Sequence, residues 1–157
     1  MKQSEAKQQI EAFFHKLGNK ASIFDEKNFV QARIGEAFIG FEYDEREEIL
    51  LAQALIYRFR SEPQDKVLDA IFAEENKTNN GGGRIVFDSE TLSFYLQKDF
   101  TEKIGDEQFY KQINNLAQAS LRWSNEILAR AAEKANGWTN FSVRNVRENF
   151  VVADVSI

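Results

Sequence analysis

Residues 37–59 read AFIGFEYDEREEILLAQALIYRF, and the fold turns on whether the second half is helix or strand. In the first half, Ile39, Phe41 and Tyr43 fall on one side of a period-2 pattern, as in a half-buried strand. The second half contains EREEILLAQALI at 45–56, which is rich in strong helix formers. Propensity alone favours a helix there. Two features favour a strand over 49–59. Leu51, Leu55, Tyr57 and Phe59 share one face at period 2, and the preceding strand needs an antiparallel partner. Asp44, Glu45, Arg46, Glu47 and Glu48 then form a solvated hairpin tip.

On the N-terminal side, 29–34 reads as another strand, turned into its neighbour by Gly35-Glu36. A polar linker ending at Lys27 separates it from a helix over 4–17, where Ile10, Phe13, Phe14 and Leu17 lie at i, i+3, i+4 and i+7. Ser4 is the expected N-cap, and Gly18-Asn19 the stop. On the C-terminal side a second helix is expected from Ser61-Glu62-Pro63, with Ser61 as cap and Val67, Leu68, Ile71 and Phe72 as its apolar face. Strands over 84–87 and 92–96 follow, joined by a turn at 88–91.

The longest helix is expected over 106–135, with Phe109, Ile113, Leu116, Ser120, Trp123, Ile127 and Ala131 spaced by fours and threes. Asn136-Gly137 stops it, and 149–155 reads as a short tail strand. The pattern predicts an α+β domain: an antiparallel, curved sheet of about five strands flanked by three helices. The element order is α-β-β-β-α-β-β-α with a C-terminal tail strand, a domain over 1–137 and an extension over 138–157 packed on or beside it.

Composition narrows function. A chain of 157 residues with 43% hydrophobic content can bury a core without disulfides or metals. Net charge is −5, and the densest basic stretch holds only Arg144 and Arg147, which argues against nucleic acid or anionic lipid as partner. There is no cysteine, which removes thiol nucleophiles, Fe–S clusters and Cys-based zinc sites. The start, MKQSEAKQQIEAFF, is too polar for a secretory signal, and no apolar run approaches the ~18 residues of a membrane span. The expected location is the cytoplasm.

No chemistry stands out. His15 is the single histidine, so neither a multi-histidine metal site nor a histidine-based triad is supported. The acids at 44–48 lack the order of an EF-hand loop. Gly81-Gly82-Gly83-Arg84 precedes a strand with no Lys-Ser/Thr pair behind it, so it reads as a flexible connector and not a phosphate loop. No catalytic residue, metal or cofactor is expected, and the chain reads as a binding protein and not an enzyme. The oddity is the 14 phenylalanines. Most are read as core, yet part of this aromatic surface is expected to be exposed, as at protein contacts.

The order of elements, the acidity and the segment GGGRIVFDSETLSFYLQKDF at 81–100, ahead of the last helix, give the chain a family likeness. Over residues 4–135 it resembles the type III secretion chaperones, the Tir-chaperone-like fold shared by the YbjN-like bacterial proteins. The resemblance implies a homodimer that binds an extended N-terminal segment of a secreted effector by strand addition at sheet edges and by apolar pockets. It places client contacts at Phe13, Phe14, Leu17, Phe38 and Phe41. It places the dimer contact at Leu68, Ile71, Phe72, Leu92 and Phe94. Two features depart from the family pattern: the tail beyond 137 and the highly charged hairpin at 44–48. They leave open a YbjN-like cytoplasmic binding or regulatory protein without a secretion role. A small carboxylate-dependent enzyme is the alternative from another class.

Overall fold

The second half of the deciding stretch is strand. In the computed structural model, which describes residues 1–18, 24 and 27–135, β1 (Phe29–Ile34), β2 (Ala37–Asp44) and β3 (Ile49–Arg58) form an antiparallel meander. After α2 (Asp65–Ala73), β4 (Arg84–Asp88) and β5 (Ser93–Phe100) make a hairpin whose second strand pairs with β3. The open sheet runs β1-β2-β3-β5-β4 with every pair antiparallel. With α1 (Gln3–Lys16) and the long third helix this is the expected α+β order. The helix stop at 136–137, the tail strand and the extension over 138–157 lie outside the described residues.

The third helix is continuous over 106–135 but not uniform. α3 (Asp106–Arg122) runs into a π-helical turn (Trp123–Ile127) and then into α4 (Leu128–Ala135). α3 lies across β2, β3 and β5 and meets α1, while α4 packs on α2. The core between helices and sheet is strongly aromatic. Phe13 meets Phe14, Phe41 and Phe109 edge-on at centroid distances of 5.7, 5.3 and 5.7 Å. Such pairs add about 0.5–1.5 kcal/mol each beyond the area they bury.

Several local expectations shift. α1 starts at Gln3 with Lys2 as N-cap, so Ser4 is already helical, and the Glu5 carboxylate accepts the Lys2 N–H at 2.8 Å. α2 starts at Asp65 with Gln64 as N-cap, leaving Ser61 and Pro63 in the approach to the helix. Leu92 precedes β5 and takes a left-handed φ of 55° in the turn.

β3 buries Leu50, Ala52, Ala54 and Ile56 on the helix side, while Leu51 and Leu55 face the other way, half-buried. The face expected from Leu51 and Leu55 is therefore the opposite one. The pairing slips between Leu55 and Tyr57, which oppose Tyr95 and Phe94. That extra residue reverses the alternation, and Tyr57 and Phe59 return to the core side, 6% and 8% exposed.

Two buried polar groups tie the third helix to the rest. Ser124, in the π-helical turn, has its hydroxyl 2.8 Å from the Ile56 carbonyl at the β3 irregularity and 3.0 Å from the Ser120 carbonyl. Its one hydroxyl hydrogen thus faces two backbone acceptors, one in the strand and one in the helix. Trp123, fully buried, donates its indole N–H to the Asn79 carbonyl at 2.9 Å. Asn79 in turn donates its side-chain amide to the Glu74 carbonyl at 2.8 Å.

The glycine-rich loop is therefore pinned, contrary to the flexible connector expected of it. A Cβ at Gly83 would stand 2.5 Å from the Gln97 carbonyl oxygen. One at Gly81, where φ is +62°, would meet Ala119 and the Asn115 carbonyl at 2.9 Å. Only glycine allows so close an approach.

Candidate functional site

The residues expected to touch a client separate into core and surface. Phe13, Phe14 and Phe41 are 2%, 1% and 0% exposed, inside the aromatic cluster under α1 and α3. They reach no partner directly in this conformation; they set the shape above them. Leu17, half-buried at the C-cap of α1, packs at the rim of that core. Phe38 stands on the opposite face of the sheet, where β2 alternates away from the helices, with the Arg33 guanidinium 5.5 Å over its ring. The structure thus divides this set between two faces of one sheet. A helical stripe or a strand alternation shows which residues share a side, and both give the same signal for core and for groove.

In the second set, Phe72 and Phe94 meet. Ile71 and Phe94 are fully buried; Leu68 and Leu92 are half-buried; Phe72 is 41% exposed. Phe94 has Phe72 edge-on at 5.5 Å and Phe87 at 4.8 Å. Phe87 was missed in the sequence. Its period-2 place on β4 would have identified it, because Phe87 opposes Phe94 across the hairpin.

Around this patch the polar groups are well ordered. Glu75 accepts the Ile85 N–H at 3.1 Å, covering one backbone donor of the outer strand β4 with a carboxylate. Glu74, its side chain 10% exposed, receives Lys134 at 2.7 Å and Arg130 at 3.2 Å, holding α4 against the end of α2. The hydrogen bond from Lys134 is the main cause, with Arg130 behind it, of a Glu74 carboxyl held below the usual range. On the other face of the sheet, Gln53 donates to Gln97 at 2.8 Å, and Gln97 donates to Asp99 at 3.1 Å.

The Glu74 clamp has a signed consequence. A carboxyl with a lowered folded pKa stabilises the fold above its unfolded pKa, and that stability is lost as pH falls through the lower folded value. Acid loss from this group therefore begins below about pH 4.3, the ordinary glutamate value. Urea midpoints measured from neutral pH downward are expected to fall less below that point in Glu74→Gln than in the wild type. Identical acid limbs would show that the clamp contributes nothing.

Among the described residues no three or more His, Asp or Glu side chains converge as metal ligands would. His15 is exposed on the last turn of α1, and the acids at 45–48 form the expected hairpin tip, where Asp44 accepts the N–H groups of Arg46 and Glu47. No helix among the described residues is long and apolar enough to cross a membrane.

No family model matches the sequence, and no curated protein matches it. Solved structures do match in fold. A chain of the ExsC–ExsE complex superposes with a TM-score of 0.61 at 16% identity, over 76% of this chain and 91% of that one. A chain of the HopA1–SchA chaperone–effector complex gives a TM-score of 0.58 at 17% identity, over 78% and 97%. The chain therefore shares its fold with chains of these two complexes, as the resemblance in element order implied.

Proposed function

We propose that this chain is a chaperone or adaptor that binds an extended segment of a partner protein, a secreted bacterial effector, and does so as a homodimer. The observation that carries the reading is the shared fold with a chain of a chaperone–effector complex, over most of both chains. Two further features support it. The sheet is open, so β1 and β4 end it instead of closing a barrel, and sheet edges accept extended segments by strand pairing. A large aromatic side chain also stands exposed on α2 beside the β4–β5 hairpin. The acidic net charge and the absence of cysteine suit work in the cytoplasm.

The test is calorimetric titration of the purified chain with N-terminal fragments of secreted proteins encoded by neighbouring genes. A specific complex with a negative heat-capacity change is expected, because a segment that orders on binding buries apolar surface. If no such fragment binds and cross-linking in the native host recovers no extended client, the reading fails. Light scattering tests the second half, and a strict monomer at working concentration would remove the homodimer.

A further inference from the structure

The sheet carries its helices on one face. Phe13 of α1 and Phe109 of α3 meet Phe41, Phe72 of α2 meets Phe94, and α4 packs on α2. This is the side on which β3 buries Leu50, Ala52 and Ala54. The other face is not polar. Leu55 opposes Tyr95, Tyr95 opposes Val86, and Phe38 falls beside Leu55, one step beyond the Ile39–Ala54 pair. These four half-buried side chains make one apolar row across β2, β3, β5 and β4. At ~4.8 Å between strands, the row is about 14 Å long. An antiparallel sheet with one solvated face normally turns polar residues outward, and a contiguous apolar surface marks a contact.

The chain itself contains a segment of matching chemistry. Residues 138–157 include no Gly, Pro or Lys, and Arg144 and Arg147 balance Glu148 and Asp154. Low hydrophobicity with high net charge keeps a segment solvated, and this one has neither. Val151, Ala153, Val155 and Ile157 alternate at period 2, as in a strand with an apolar side. The point of departure also fits. Lys134 of α4 is held by Glu74, and the next residue, Glu75, reaches the Ile85 N–H of β4. The described chain therefore stops near the outer strand that carries Val86. Residues 136–148 can span up to about 45 Å, ample for rounding one strand when packed layers lie ~10 Å apart. Because β4 ends the sheet, no further strand bars the way.

We propose that residues 149–157 lie extended across this outer face of their own chain, seating Val151, Ala153, Val155 and Ile157 on the row Phe38, Leu55, Tyr95 and Val86. This face points away from Leu68, Ile71, Phe72 and Phe94, so the dimer contact implied by the resemblance is left intact. The inference does not depend on the client reading. A sixth strand added to β4 is a poorer arrangement, because Glu75 already covers the Ile85 N–H on that edge. Any partner that needs the outer face must first displace the segment.

The chain has no cysteine, so an introduced one carries a spin label at a single place. Glu42→Cys puts the label on the outer face of β2, and His15→Cys puts it on the exposed end of α1, on the helical side. In the full chain with isotope-labelled Val, Leu and Ile methyl groups, the Glu42 label is expected to broaden the Val155 and Ile157 signals beyond detection. The His15 label should leave them sharp. Adding Val155→Asp, a change outside the core, should restore the Ile157 signal and shift the Leu55 and Val86 methyl signals. Circular dichroism confirms that each variant is folded. Sharp tail signals with the Glu42 label, or equal broadening by both labels, overturn the proposal. So does broadening seen only when spin-labelled and isotope-labelled chains are mixed, which would make a second copy the occupant.

Discussion

Replacing Trp123 with alanine is expected to lower the unfolding free energy by about 3–5 kcal/mol, the usual cost of deleting a fully buried tryptophan. The side chain is completely enclosed, and its indole N–H holds the Asn79 carbonyl at 2.9 Å. Alanine leaves a cavity between the third helix and the 76–83 loop, and an inaccessible acceptor without its donor. Net stabilities of such domains are about 5–15 kcal/mol, so the variant would sit near the edge of folding. Trp123→Phe separates the two contributions. It keeps most of the volume and loses the hydrogen bond, for about 1–3 kcal/mol. Urea denaturation measures both, and hydrogen exchange should show the loop amides losing protection first. A cost under about 1 kcal/mol for the alanine variant would mean that the loop is held by something else.

Phe41→Ala should be nearly as damaging, by about 3–5 kcal/mol, and for a different reason. Phe41 is 0% exposed and touches Phe13, Phe14 and Phe109, so its loss removes the centre of a ring-on-ring cluster joining β2 to α1 and α3. The comparison with Phe72→Ala is informative, because a side chain already 41% exposed contributes far less to folding. Client affinity measured per folded molecule should change little in Phe41→Ala, because the ring is enclosed. A large loss of affinity would make the aromatic cluster a contact surface that opens when a client arrives.

These two phenylalanines also show how far the sequence could be read. The alternation of Ile39, Phe41 and Tyr43 placed β2 correctly, because a strand with one buried face records that face in period 2. The same rule put Leu51 and Leu55 on the wrong side, since a bulge changes the phase and leaves no mark in composition. For α1 the stripe was right and its use was not settled by it. Ile10, Phe13 and Phe14 had to be buried somewhere, but a period carries no address for the partner. The glycine run looked slack because its restraint comes from Trp123, more than forty residues onward, across a contact that local patterns do not record.

The bond from Ser124 to the Ile56 carbonyl joins two places where the chain carries one residue more than regular geometry needs, one in a strand and one in a helix. The two surplus residues constrain chain length. Removing a single residue from the π-helical turn would restore regular α-helical winding there and disturb the bond from Ser124 to the Ile56 carbonyl. Removing only the strand's surplus residue would restore regular alternation, leave Tyr57 and Phe59 on the core side and take away the bulge at which Ser124 bonds. Insertions and deletions at these two sites are coupled through that hydrogen bond, and a homologue that has lost one surplus residue should have lost the other. Gaps in related chains should come as a matched pair, sixty-eight positions apart here, which makes this coupling a length signature of the lineage and not of any single side chain.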